Sequence, residues 1–97
     1  MENLPYDACV EIPVVADRMG FRSTVAGKLP DHLAILANTT ARIESLTVEA
    51  AMKKSREMVY YAVYHDPLTS AVCSLDEIRR MCDELFEVNR EFLGDYK

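Results

Sequence analysis

No cluster of basic residues occurs in this 97-residue sequence, and its formal net charge is −5. Binding along a phosphate backbone draws on clustered Lys and Arg, so nucleic acid is not an expected partner. No apolar run approaches the roughly 20 residues needed to cross a bilayer, which leaves no expected membrane span. The three cysteines, Cys9, Cys73 and Cys82, are odd in number and form no C-x-x-C pair. That pattern fits buried free thiols in a reducing cytosol better than a disulfide framework. No basic stretch followed by an apolar core and a small-residue cleavage site opens the chain, so nothing reads as a signal peptide. Phosphate-cradling glycine motifs, G-x-S-x-G and H-E-x-x-H are all missing. Internal repeats, low-complexity tracts and linkers are missing too, so a single unit is expected. At this length roughly 60–70% of the unfolded surface can be buried, enough for a small core.

The longest regular segment present is Pro30 to Lys53. Proline suits a first helical turn, and Asp31 sets negative charge at the positive end of the helix dipole. Leu33, Leu36, Ala37, Thr40, Ile43, Thr47 and Ala50 recur at three- and four-residue spacing, which predicts one inward face on a central helix around which the rest packs. Before it, Cys9 to Ala16 is apolar and β-branched but contains Pro13, which cannot donate to a ladder. Asp17-Arg18-Met19-Gly20 reads as a turn with glycine where positive φ is needed, and Phe21 to Val25 alternates back. The pattern predicts a hairpin pairing Val10–Val15 with Phe21–Val25.

After the central helix, Ser55 can cap a second helix over Arg56 to Tyr64. Pro67 disfavours helical geometry at Asp66, which predicts a break at His65-Asp66 and a short turn of helix over Leu68 to Val72. Ser74 with Glu77 three residues on is a capping box. The helix it opens carries Leu75, Ile78, Cys82, Leu85, Phe86 and Phe92 as an apolar stripe, with Gly94 as its stop. The expected class is therefore α+β: a β-hairpin followed by three or four helices.

Side chains able to do chemistry are present, but each has a plainer reading. His65 beside Asp66 offers an acid–base or metal pair, yet adjacent residues do not converge and no second histidine follows at four residues. His65, Cys73 and Cys82 supply zinc-compatible atoms at spacings that match no compact ligand set, so buried thiols are the simpler reading. Asp76, Glu77, Asp83, Glu84, Glu87 and Glu91 alternate with Arg79, Arg80 and Arg90, as a solvated helix face does. Tyr60, Tyr61 and Tyr64 can stack on a sugar or a base, though helical spacing suits half-buried packing. No catalytic, cofactor-binding or metal-binding residue is assigned from these patterns.

Two stretches carry a likeness: Asn3-Leu4-Pro5-Tyr6-Asp7-Ala8-Cys9-Val10-Glu11-Ile12-Pro13, and Asp66-Pro67-Leu68-Thr69-Ser70-Ala71-Val72-Cys73-Ser74-Leu75-Asp76-Glu77-Ile78. With Val25-Ala26-Gly27-Lys28-Leu29-Pro30 and Leu46-Thr47-Val48-Glu49-Ala50-Ala51 between them, residues 1–97 resemble the C-terminal region of glycoside hydrolase family 4. The Leu-Pro-Tyr-Asp-Ala-Cys form is closer to the α-galactosidase and α-galacturonidase branch than to the phospho-glucosidases. The resemblance implies a fragment of a lactate/malate-dehydrogenase-like C-terminal substrate domain. The parent enzyme would be cytoplasmic and would act on glycosides with NAD and manganese, oxidising C3 of the sugar transiently and eliminating the leaving group. The family's dinucleotide fold and its metal-binding and base residues map to none of these positions, so neither NAD nor Mn(II) is expected on this segment.

Asn3 and Asp7, polar residues leading into the strand, are the candidates for lying near a sugar. Shaping a turn is the alternative reading, since Asp near Pro commonly does so. A free-standing helical interaction module is the rival from another class, and a dehydrogenase C-terminal domain is a second enzyme reading that the quoted stretches disfavour. Because the central helix has so thin an apolar face, Leu46, Val48, Met58, Val63 and Leu93 are expected to seek cover, making a homo-oligomer the predicted state.

Overall fold

The computed structural model describes every residue, Met1 to Lys97. Strands β1 (Val14–Asp17) and β2 (Gly20–Ser23) precede helices α1 (Asp31–Lys53), α2 (Arg56–Tyr64), α3 (Pro67–Val72), α4 (Leu75–Val88) and α5 (Arg90–Leu93). This is the predicted α+β order, with five helical segments instead of three or four. The residues gather into two compact units, Met1–Ala41 and Arg42–Lys97, so the division falls within α1.

In the first unit, β1 and β2 pair antiparallel in the register Val14 with Ser23 through Asp17 with Gly20. Two residues turn the chain. The Asp17 carboxylate accepts from Met19 N at 2.8 Å, and Gly20 takes φ +108, a region that side chains with a Cβ avoid. The ladder is shorter than predicted, and Pro13 supplies the reason. Its carbonyl accepts from Thr24 N at 3.0 Å and Thr24 Oγ1 at 2.8 Å, but it has no N–H to return, so the ladder does not run on before Val14.

Helix α1 also starts one residue later than expected. Pro30 caps it from just outside, its carbonyl accepting from Leu33 N and Ala34 N, both at 2.9 Å. The inward face needs a larger correction. Leu33, Leu36, Thr40 and Thr47 are exposed and Ala34 and Ala41 are buried in their place, while Ala50 is buried as expected. Asn38 explains the difference in the first unit: its Nδ2 donates to Asn3 O at 3.0 Å and to Ala34 O at 2.8 Å. That polar anchor turns the stripe of Ala34, Asn38 and Ala41 inward in place of the leucines.

The second unit opens on the end of α1, where Ser55 N donates to Ala50 O at 3.0 Å and Lys54 N to Ala51 O at 3.3 Å. This is the Schellman arrangement, with Lys54 at φ +50 in the place glycine usually takes. The C-terminal residues close over this corner: Lys97 N donates to Lys54 O at 2.9 Å, Arg56 N donates to Lys97 O at 2.8 Å, and Lys54 pairs with Asp95. Ser55 caps α2 through Met58 N, Asp66 caps α3 through Thr69 N at 2.8 Å, and the Ser74–Glu77 capping box opens α4.

The core lies between α2 and α4, not on α1, so the expectation of a central post fails. Tyr60, Ile78, Cys82 and Phe86 form it, ringed by Val59, Val63, Tyr64, Cys73, Met81, Leu93 and Tyr96. Phe86 meets Tyr60 edge-on at 6.4 Å and Tyr96 at 5.7 Å, geometry that favours aromatic pairs. Of the predicted α4 stripe, Ile78, Cys82 and Phe86 are buried, whereas Leu75, Leu85 and Phe92 are exposed. Asn89 breaks the helix, and the helical period does not carry through to Phe92.

Candidate functional site

The Asn3 side chain reads the backbone ahead of α1. Its Nδ2 donates to Leu29 O and its Oδ1 accepts from Leu29 N, both at 2.9 Å, while Glu2 N donates to Gly27 O at 3.0 Å. One amide thus replaces a strand neighbour, pairing with both polar groups of a single residue. Together with Asn38, it ties the segment leading to the hairpin to the start of α1. Asp7 lies exposed in the turn where Ala8 N donates to Pro5 O at 3.1 Å. The two candidates therefore differ: Asn3 is engaged with backbone, and Asp7 presents its carboxylate outward.

In the second unit, α2 and α4 are joined by a polar cluster that the sequence reading did not single out. Tyr60 Oη donates to Asp83 Oδ1, and Arg56 pairs with the same oxygen at 3.2 Å. The Arg56 guanidinium stacks over Phe86 at 4.5 Å, and that of Arg79 over Tyr60 at 4.9 Å. The hydrogen bond to Asp83, then burial, raises the Tyr60 phenol above its ordinary value, so the neutral donor form is held. No local spacing signals the cluster, because Tyr60 and Asp83 stand 23 residues apart and only the α2–α4 packing brings them together.

Beside this cluster an apolar groove of about 420 Å³ is lined by Val59, Val63, Met81, Cys82, Leu85, Phe86, Asn89 and Leu93. Its size is that of a small-ligand site, but its one polar side chain, Asn89, donates to Leu85 O at 2.8 Å. Burial, then the charge of Asp83, pushes the Cys82 thiol up, away from the thiolate that nucleophilic chemistry needs. Cys73 is half-buried and Cys9 is exposed, so the expectation of three buried thiols holds for Cys82 alone. His65 Nδ1 lies 2.7 Å from Tyr61 O, and Asp66 is engaged with the amide and hydroxyl of Thr69. Tyr61 is exposed and its hydroxyl donates to Glu57 at 2.7 Å, while Tyr64 is half-buried at the core. No three His, Cys, Asp or Glu side chains are grouped so as to hold a metal ion. No helix is long and apolar enough to cross a membrane.

The side-chain contacts described tie the N-terminal segment to α1 and α2 to α4, and comparison with known proteins gives the family. Residues 1–69 match the model described as the family 4 glycosyl hydrolase C-terminal domain. The chain belongs to this family. The matched residues take in the hairpin, the Asn3–Asn38 clamp, α1 and α2, and end at Thr69. The chain is 43% identical to an alpha-galactosidase of Bacillus subtilis (strain 168), over 98% of its own length and 22% of that relative. It is 32% identical to an alpha-galactosidase of Rhizobium meliloti (strain 1021), over 97% of itself and 19% of the relative. An alpha-galacturonidase of Thermoanaerobacter italicus shares 27% over 96% and 20% respectively. A 6-phospho-beta-glucosidase and a 6-phospho-alpha-glucosidase are weaker matches, in keeping with the branch that the Leu4-Pro5-Tyr6-Asp7-Ala8-Cys9 stretch resembles. The chain spans about a fifth of the length of these family 4 relatives. No solved structure matches it significantly.

Proposed function

We propose that this chain is the C-terminal part of a family 4 glycosidase, an enzyme of the α-galactosidase or α-galacturonidase type that hydrolyses O-glycosyl bonds in the cytoplasm. The identity of 43% to an alpha-galactosidase along nearly the whole chain is the observation that carries the reading. The contribution of the chain is architectural: it completes the substrate domain and offers helical surface to a neighbouring subunit. Oxidation–elimination chemistry on NAD and manganese belongs to the rest of the enzyme. The side chains present do not fit either group. No metal-ligand cluster exists, and the two glycines at positive φ, Gly20 and Gly27, lie in a hairpin turn and a connecting segment, not at a phosphate-binding helix N-terminus. No catalytic step is therefore assigned to this chain, and Asn3 and Asp7 stay the residues proposed to lie near a sugar, Asp7 exposed and Asn3 half-buried.

Apart from its parent, the chain should self-associate helix against helix. Val48, Met52, Leu85, Val88 and Phe92 stand exposed on its helices, and each large apolar side chain left in water forgoes roughly 1.5–3 kcal/mol of burial. Val63 and Leu93, expected to need outside cover, are instead partly packed on the core of the second unit. Transplantation tests the proposal. An alpha-galactosidase of the family, its C-terminal region exchanged for this chain, should hydrolyse a nitrophenyl α-galactoside only with NAD and manganese supplied. A folded chimera without turnover refutes it.

A further inference from the structure

The hairpin has two unlike faces. Register places Val14 opposite Ser23 and Ala16 opposite Phe21 on one side, and Val15 opposite Arg22 and Asp17 opposite Gly20 on the other. The second face carries the Asp17–Arg22 ion pair and suits water. The first is apolar but for Ser23, and bare: Phe21 is 85% exposed and Val14 52%, with Val25 just beyond β2 at 87%. The sheet has only two strands, so both outer edges also lack neighbours. A two-stranded ribbon without a covered face is marginal in water, yet the Asp17 turn, Gly20 and the Pro13–Thr24 closure all specify this one.

What covers the apolar face can be argued from size and from length. Val14, Ala16 and Phe21, with Val25 beside them, supply its apolar area, and with Phe21 contributing roughly 200 Å² and the partly exposed others less, two such faces fall short of the about 1,200 Å² that holds two free molecules together. A covalently attached body needs no such area, because attachment supplies a high effective concentration. The relatives provide that body, since this chain covers only 22% of the alpha-galactosidase it matches at 43% identity. The Asn3 clamp holds the first residues against Leu29, within the same compact unit as the hairpin, so in a relative the preceding chain enters that unit.

We propose that the apolar face of the hairpin, formed by Val14, Ala16 and Phe21, is the docking surface for the preceding four-fifths of a family 4 glycosidase. The proposal rests on the reading of this chain as the C-terminal part of such an enzyme.

Hydrogen exchange tests it in the chimera described above, alongside the isolated chain. Amides of residues 14–23 should exchange at least about tenfold more slowly in the chimera, and Phe21→Asp should abolish that difference, as loss of an interface anchor does. Arg22→Ala, on the polar face, should leave it in place. If Phe21→Asp prevents the chimera from folding, Phe21→Ala and the wild-type comparison decide. Equal exchange in chimera and isolated chain overturns the proposal. So does protection in the isolated chain that grows with concentration and vanishes with Phe21→Asp, which would identify a second copy as the occupant. Exchange is read without regard to turnover: an inactive chimera with a protected hairpin removes the glycosidase reading and leaves the docking surface, and an active one with an unprotected hairpin does the reverse.

Discussion

Ile78 is the one large side chain sealed completely from solvent, at 0% exposure, and it sits where α2 meets α4. Cutting it to alanine should cost about 2–5 kcal/mol, the transfer term plus the cavity that the rings of Tyr60 and Phe86 cannot fill by collapse. A unit the size of Arg42–Lys97 has only about 3–8 kcal/mol in total. The substitution therefore removes most of its stability. At about 4–8 °C of melting midpoint per kcal/mol, Ile78→Ala should lower Tm by at least about 8 °C, and Ile78→Val, costing about 0.5–1.5 kcal/mol, by about 2–12 °C. Far-ultraviolet circular dichroism follows the helices, and the near-ultraviolet tyrosine signal follows Tyr60 and Tyr96 at the core. The two signals should fall together. A Tm within about 3 °C of the parent for Ile78→Ala would refute the placement of the core between α2 and α4.

Three further outcomes are expected. Ser74→Ala removes the acceptor for Glu77 N and half of the capping box, and should cost about 1 kcal/mol, or about 4–8 °C; an unchanged melt would show that α4 does not depend on its cap. Hydrogen bonds from Thr69 hold the Asp66 carboxyl below its ordinary value, and the Ser74 backbone and side chain do the same for Glu77. Folded values that are depressed stabilise fully above the unfolded carboxyl value of about 4 and are lost as pH falls through the lower folded ones, so Tm should drop below about pH 4, less steeply in Glu77→Gln. A Tm flat or rising in that range contradicts this. The isolated chain should show no micromolar binding of NAD or manganese in calorimetry, and no hydrolysis of nitrophenyl galactosides; tight binding of either would reveal a site among residues assigned here to scaffold.

Local chemistry was the legible part of this sequence. Ser55, Asp66 with Pro67, and Ser74 with Glu77 each fix a helix start through contacts within three residues; the first and third starts are where the sequence places them, and α3 begins at Pro67, one residue before the expected Leu68, because Asp66 caps it. Gly20 likewise marks its turn, because positive φ is a property of one residue. The misread features depend on distant partners. The rotation of α1 is set by Asn38 reaching Asn3 across 35 positions, so periodicity alone selected the leucines and passed over Ala34 and Ala41. The Tyr60–Asp83–Arg56 cluster was hidden for the same reason, its members spaced 23 and 27 residues apart. Asn3 is legible in sequence only as a polar residue leading into the strand; the pairing of its amide with Leu29 is announced by no spacing rule.

Turnover in the transplanted enzyme bears most directly on whether this chain is the architectural end of a glycosidase. The kcat/KM of the chimera for nitrophenyl α-galactoside, with NAD and manganese present, should lie within about a hundredfold of the parent enzyme, a transition-state difference of less than about 3 kcal/mol. It should vanish when either is withheld. A folded chimera with no measurable turnover, or an isolated chain that cleaves the substrate unaided, would contradict the assignment.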